Sequence, residues 1–325
     1  MRHWYRRGAL AWLLWPAGLL YFLVSAFRRI LYRMRVLKSE HPGIPVIVVG
    51  NITAGGSGKT PLAIWIAEFL RHKGWSPGIV SRGYGARVES PREATIASTA
   101  AEVGDEPILL ARRGGCPVWV GPDRGRVIEA LRAQHPEVDV LVLDDGLQHY
   151  RLRRDVEIAV VDARGLGNGF ALPAGPLREP ASRLRSVDAV VSHGSSMRGY
   201  AMQLEGEVLH RMTDANDRRP AAAFAGQKVH AVAGIGDPNR FFLQLAAFGL
   251  RLAPHPFPDH YAFQPRDLDF GDEAPVMLTE KDAVKLRHAA RPNWWVLPVT
   301  AKLDPAFGEW LLGRLDGFRR RSKAA

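Results

Sequence analysis

Val46-Ile47-Val48-Val49-Gly50-Asn51-Ile52-Thr53-Ala54-Gly55-Gly56-Ser57-Gly58-Lys59-Thr60-Pro61 is the stretch whose reading decides the fold. Residues 46–49 form a short β-branched run, as in a strand buried on both faces of a parallel sheet. After Pro61, Leu62, Trp65, Ile66, Phe69 and Leu70 recur at helical spacing until Lys73-Gly74 supplies a stop. A glycine-rich loop between strand and helix turns backbone N–H groups and a helix N-terminus toward phosphate oxygens. Thr53, Ala54, Gly55, Gly56, Ser57 and Gly58 would form that cradle. Lys59 would reach the β- and γ-phosphates, and the Thr60 hydroxyl would ligate Mg²⁺. Thr53 stands where the usual pattern begins with glycine, while Gly58-Lys59-Thr60 is intact.

Downstream, the apolar residues 140–143 lead into Asp144-Asp145, a strand that delivers carboxylates to the edge where a phosphate-bound metal sits. Asp144 or Asp145 would hold the ion directly or through water. Further apolar runs at 78–80, 118–120, 157–161 and 189–192 are separated by helix-length stretches, which predicts a doubly wound parallel sheet flanked by helices. From 198 to 217 the pattern weakens into polar, alternating sequence. A second, smaller α/β unit is expected from strands near 228–233, 276–278 and 294–299 and a helix through Phe241, Phe242 and Leu245. The expected division is a basic, apolar helix at 1–40, a P-loop domain with linker at 41–217, and the smaller domain at 218–325.

The chain of 325 residues is 46% hydrophobic and 24% charged, enough for two folded domains and little disorder. Its one cysteine, Cys116, excludes an intrachain disulfide and a cysteine-based zinc cluster. Of the net charge of +11, eight cations (Arg2, Arg6, Arg7, Arg28, Arg29, Arg33, Arg35 and Lys38) precede the first acid, Glu40. They bracket the uncharged run 9–27, rich in Trp, Leu and Phe. Basic flanks on an aromatic-rich apolar segment point to an anionic bilayer and away from nucleic acid. A spanning helix needs about 20 apolar residues, and Pro16 and Gly18 interrupt this one, so an interfacial helix is the preferred reading.

A guanine-nucleotide enzyme would carry an Asn/Thr-Lys-x-Asp motif; the nearest approach, Thr279-Glu280-Lys281-Asp282, has its lysine one place too late. The alternative to a kinase is a membrane-associated P-loop NTPase acting as a switch or metallochaperone.

The segment 50–61 resembles the opening motif of the tetraacyldisaccharide 4′-kinase family of lipid A biosynthesis. So do Ser81-Arg82-Gly83-Tyr84-Gly85, Val103-Gly104-Asp105-Glu106, Asp144-Asp145-Gly146-Leu147-Gln148-His149, Gly175-Pro176-Leu177-Arg178-Glu179, Asp259-His260-Tyr261 and Thr279-Glu280-Lys281-Asp282-Ala283. These lie in family order along almost the whole chain. Leu147 stands where the family frequently has an aromatic residue.

The resemblance implies two α/β/α domains joined by a β linker, with the active site in the cleft between them. It implies transfer of the ATP γ-phosphate to the 4′-hydroxyl of an acylated glucosamine disaccharide 1-phosphate, with Mg²⁺, at the cytoplasmic side of the inner membrane, and no protein partner is evident. Asp105 would be the base and His260 its tuning partner. Glu179 would join Thr60, Asp144 and Asp145 at the metal, while Tyr84, Arg124, His149 and Arg178 would contact the substrate or its phosphate. The Thr279-Glu280-Lys281-Asp282 segment is expected to support the cleft.

Overall fold

The structure is a computed structural model, and it describes residues 2–194 and 197–322. The strand Val46–Gly50 sits at the centre of a nine-stranded sheet. On one side lie Val140–Asp144, Pro77–Ser81, Val118–Val120 and the short Arg92–Glu93; on the other lie Val156–Asp162, Ala189–His193, Tyr200–Glu205 and Thr300–Leu303. All pairs are parallel except the two at the edges. Side chains alternate across a strand, so Ile47 and Val49 enter one core and Val46 and Val48 the other, all four fully buried. The first core packs the phosphate-loop helix Lys59–His72 through Leu62, Ile66 and Leu70; the second packs Arg124–Gln134 through Val127, Ile128 and Leu131.

A second sheet has the order Arg218–Pro220, Val208–Arg211, Trp294–Leu297, Val276–Thr279, Lys228–Ala233, Arg251–Pro256. Its last four strands are parallel, and Pro238–Ala247 packs on them through Phe241 and Leu245.

The division expected at 217/218 does not match the pairing. Val208–Arg211 already belongs to the second sheet, where it pairs with Trp294–Leu297. Thr300–Leu303 returns to the first sheet against Tyr200–Glu205, and the helix Pro305–Ser322 seals that sheet's face with Phe307, Leu311 and Leu315. The second domain is therefore an insertion. The polar, alternating stretch read as a weakening linker holds two strands next to the edges of their sheets, largely exposed on one face, where polar residues are tolerated. The chain crosses between sheets twice, at 206–207 and 298–299, and the crossings touch: a side chain on Gly206 would overlap the Pro298 carbonyl.

The N-terminal helix runs Ala9–Arg33, six residues beyond the apolar run, and only Ala11 and Gly18 on it are buried. Gly18 meets the backbone of Ala171, Trp12 meets Phe170 edge-on at 5.1 Å, and Arg7 donates to the Asn168 carbonyl at 3.0 Å. Leu13, Leu20, Leu23, Val24 and Phe27 remain in the open.

Candidate active site

Gly58, at φ +89°, turns the loop into its helix, a conformation that suits a residue without Cβ. The wholly buried Asn51 ties the loop's ends by donating to the Gly55 carbonyl at 3.2 Å and to Ser57 Oγ at 3.0 Å. Thr60 Oγ1 donates to Asp144 Oδ2 at 3.4 Å, while Asp144 Oδ1 is buried with no hydrogen-bond partner. Burial, followed by repulsion from Glu106, pushes the Asp144 carboxyl up from the usual carboxylate range. A buried carboxylate oxygen without a donor, beside a hydroxyl at the end of a phosphate loop, fits a divalent cation.

Asp145 is held otherwise. It accepts two hydrogen bonds from Arg178, at 3.0 and 3.1 Å, and lies 3.9 Å from Lys59 Nζ. Burial works against its charge, but Lys59 and Arg178 outweigh it and keep the carboxyl low. Glu179, expected at the metal, is committed elsewhere: its oxygens accept from Tyr150 Oη at 2.7 Å and Arg183 Nε at 3.1 Å. These two contacts tie Glu179 to Tyr150 and Arg183 and leave part of its acceptor capacity open.

Asp105 opens the helix Asp105–Arg113 and is 4% exposed; Gly104 before it, at φ +92°, packs against the Tyr84 carbonyl so closely that a Cβ would overlap it. From the second domain, His260 places Nδ1 3.2 Å from both Asp105 carboxylate oxygens. Burial alone would raise the Asp105 carboxyl, but the His260 hydrogen bond and the charges of Lys281 and Lys285 draw it down to about 2. Burial alone would lower His260, and the Asp105 contact reverses that into a raised value. Lys281 Nζ lies 3.0 Å from Glu106, 3.2 Å from Asp259 and 3.2 Å from His260 Nε2, and Lys285 lies 3.4 Å from Asp105. The two lysines are four apart on Glu280–Lys285, so one helix face carries both. The segment expected to support the cleft thus supplies one cation to the pair, Lys281, and the helix that continues from it supplies the other, Lys285.

Tyr84, 61% exposed, sets its ring 4.8 Å from that of His260. Arg124 is buried and donates to the Gly121 carbonyl at 2.8 Å; burial and then Arg82 bring it down to about 10. Burial and then Arg124 depress His149 to about 4, which leaves a neutral ring.

The phosphate loop, Glu106 and Lys281 line one cleft with residues 235–237 and Arg240 of the second domain. Arg164 spans it, donating to the Gly236 carbonyl at 2.9 Å and to the Gly56 carbonyl while Asp162 holds its Nε at 2.9 Å. Nothing local in the sequence marks Arg164 for this, since a lone arginine in a glycine-rich loop reads as solvated surface.

The family model for "Tetraacyldisaccharide-1-P 4'-kinase" (LpxK) matches residues 10–316. The chain belongs to this family. The tetraacyldisaccharide 4′-kinase of Methylobacillus flagellatus is 48% identical over 97% of this chain and 95% of its own. That of an Azoarcus species is 50% identical over 97% and 94%. The crystal structure of the "apo" form of LpxK from Aquifex aeolicus in complex with ATP superposes with a TM-score of 0.77 at 29% identity, over 94% of this chain and 99% of that one. Membership in the kinase family accounts for the fold, with two sheets meeting over a phosphate loop, and disfavours the switch and metallochaperone reading.

Proposed function

We propose that this chain transfers the γ-phosphate of ATP to the 4′-hydroxyl of a tetraacyldisaccharide 1-phosphate, giving the 4′-phosphorylated lipid (lipid IVA) and ADP. What supports the reading beyond family membership is the Asp105–His260 contact between the domains, next to Glu106 and Lys281, which line the cleft with the phosphate loop.

The loop amides and Lys59 hold the β- and γ-phosphates in line with the acceptor. Thr60 and Asp144 are the residues that fit Mg²⁺, and Asp145, spent on Arg178 and Lys59, positions the lysine. The ion supplies neutralisation of phosphate charge when bound. Asp105 accepts the proton of the 4′-hydroxyl as the new O–P bond forms and the β,γ-bridging bond breaks. A carboxylate held near 2 is a weak base, which suits a loose transition state in which the hydroxyl proton leaves late. His260 and Lys285 aim the carboxylate, and His260 is a positioning residue. Arg178, Arg124, Tyr84 and the neutral ring of His149 surround the acceptor side.

The helix Ala9–Arg33, apolar enough for a membrane at mean hydropathy 1.8 and left mostly uncovered by the protein, attaches the enzyme to the inner membrane; a donor as polar as ATP puts the catalytic domains on the cytoplasmic face. Incubation of purified protein with γ-labelled ATP and the lipid disaccharide 1-phosphate tests the activity. A new bisphosphorylated lipid, absent with Lys59→Ala, is expected; label passing only to water would overturn the proposal.

A further inference from the structure

Where the N-terminal helix leaves its apolar run, a pocket of 660 Å³ opens that shares no lining residue with the catalytic cleft. Arg29, Tyr32 and Arg33 make one wall, and Arg153, Arg154 and Arg183 make the other. Its two carboxylates are already neutralised: Glu157 pairs with Arg154 at 2.8 Å and Arg183 at 2.5 Å, and Asp188 pairs with Arg314 at 2.9 Å. The side chains of Arg29, Arg33 and Arg153 have no hydrogen-bond or ion-pair partner among the described residues.

Arg29 and Arg33 lie four residues apart and so share a helix face. They follow Phe27, the last residue of the apolar run, by about 3 and 9 Å of helical rise. They therefore stand just past the part of the helix that would contact acyl chains, at the level of the headgroups for a helix lying in the interface. Guanidinium groups match phosphate oxygens in a planar, paired geometry, and basic pockets beside membrane helices on the cytoplasmic side take anionic headgroups. Three guanidinium groups without side-chain partners, facing one cavity beside the apolar helix, are placed to hold a single headgroup.

We propose that this pocket binds the phosphate headgroup of an acidic membrane phospholipid, so that one specific lipid seats the enzyme on the bilayer. The proposal rests on the reading of the helix as membrane-attached, and two separate readouts keep them apart.

Native mass spectrometry of the full chain, released from a neutral detergent with equal phosphatidylglycerol and phosphatidylcholine, reads the pocket. One retained phosphatidylglycerol is expected, with its preference reduced about tenfold or more in Arg29→Gln/Arg33→Gln/Arg153→Gln. The control Arg126→Gln/Arg251→Gln/Arg266→Gln, which removes three cations elsewhere, should keep the preference. The triple lysine variant at 29, 33 and 153 should keep it too, separating lost charge from lost fold. Undiminished preference in the glutamine variant, or equal loss in the control, would overturn the proposal. So would unchanged lipid retention with a raised KM for the disaccharide, which would give the pocket to the acceptor's own phosphate. Sedimentation with pure phosphatidylcholine vesicles reads the anchor alone; there wild type and pocket variant should behave alike. Failure of wild type to sediment would remove the anchor reading while the detergent measurement still decided the pocket.

Discussion

Asp145 and His260 both hold left-handed backbone, at φ +53° and +60°, although neither is a glycine. Asp and His tolerate that region better than most residues, yet it costs of order 1 kcal/mol each, and such strain clusters where a side chain must be aimed. Here one aims a carboxylate between Lys59 and Arg178, and the other brings an imidazole onto Asp105. Asp105→Asn keeps the shape and removes the base, so kcat should fall about 10²–10⁴-fold with little change in KM for ATP. His260→Ala should cost less, and the double variant less than the product of the single losses, because the two act as one unit. Steady-state kinetics of the four proteins decides it: multiplicative losses would separate the residues, and a normal kcat in Asp105→Asn would move the base elsewhere. A pH titration gives an independent reading. His260 is raised above its ordinary 6.5, so the stability it contributes is complete below that pH and disappears as pH rises through the folded value. The melting-temperature gap between wild type and His260→Gln should accordingly narrow on going from pH 6 to pH 9. Asp105, drawn down to about 2, contributes stability that is complete above 3.8 and lost as pH falls toward 2. For the metal, Asp144→Ala should raise the Mg²⁺ concentration for half-maximal activity more than Asp145→Ala does. An unchanged Mg²⁺ dependence in both would remove them from the ion. Lys59, Thr60 and the aspartate pair were legible in the sequence because strand, loop and helix are contiguous there. Asp105 and His260, 155 positions apart, were legible only through the family's motifs, and the partners Tyr150 and Arg183 that hold Glu179 could not be read from the sequence at all.

Among the elements, the buried strands of the large sheet could be read directly, since residues buried on both faces leave unbroken apolar runs. Tyr200–Glu205, Val208–Arg211 and Arg251–Pro256 escaped notice because they are edge or near-edge strands with mixed exposure, so no unbroken apolar run marks them. The N-terminal helix is legible for a different reason: its apolar surface is not consumed by the fold. Deleting residues 1–38 should therefore abolish most binding to anionic vesicles, and high salt should weaken wild-type binding only in part, because apolar burial is not screened. Full binding by the truncated protein in a flotation assay would refute the anchor. Gly18→Leu offers a finer test. A Cβ there would sit 2.9 Å from the Ala171 carbonyl, so the helix should lift from the 168–175 loop, exposing that loop to proteolysis while vesicle binding persists.

For the molecule as a whole, the cleft exists because the second domain is held at two crossings and by Arg164. The guanidinium reaches carbonyls of both domains, so Arg164→Ala should loosen their apposition, raising KM for ATP and speeding cleavage at 206–207. Equal proteolysis rates for wild type and variant would show that Arg164 does not brace the cleft. A chain ending at residue 299 should fail to give soluble protein. It would lack the edge strand Thr300–Leu303 and Phe307, Leu311 and Leu315, each of which is fully buried against the phosphate-loop side of the sheet.

Because those closing pieces follow the inserted domain in chain order, synthesis has an order built into it. The apolar helix Ala9–Arg33 is made before the phosphate loop, and the inserted domain can complete its own sheet while the large sheet still lacks a strand and a covering helix. Until those pieces emerge, the phosphate loop is carried by an unfinished domain, so a nascent chain displays its apolar helix well before it can hold a nucleotide.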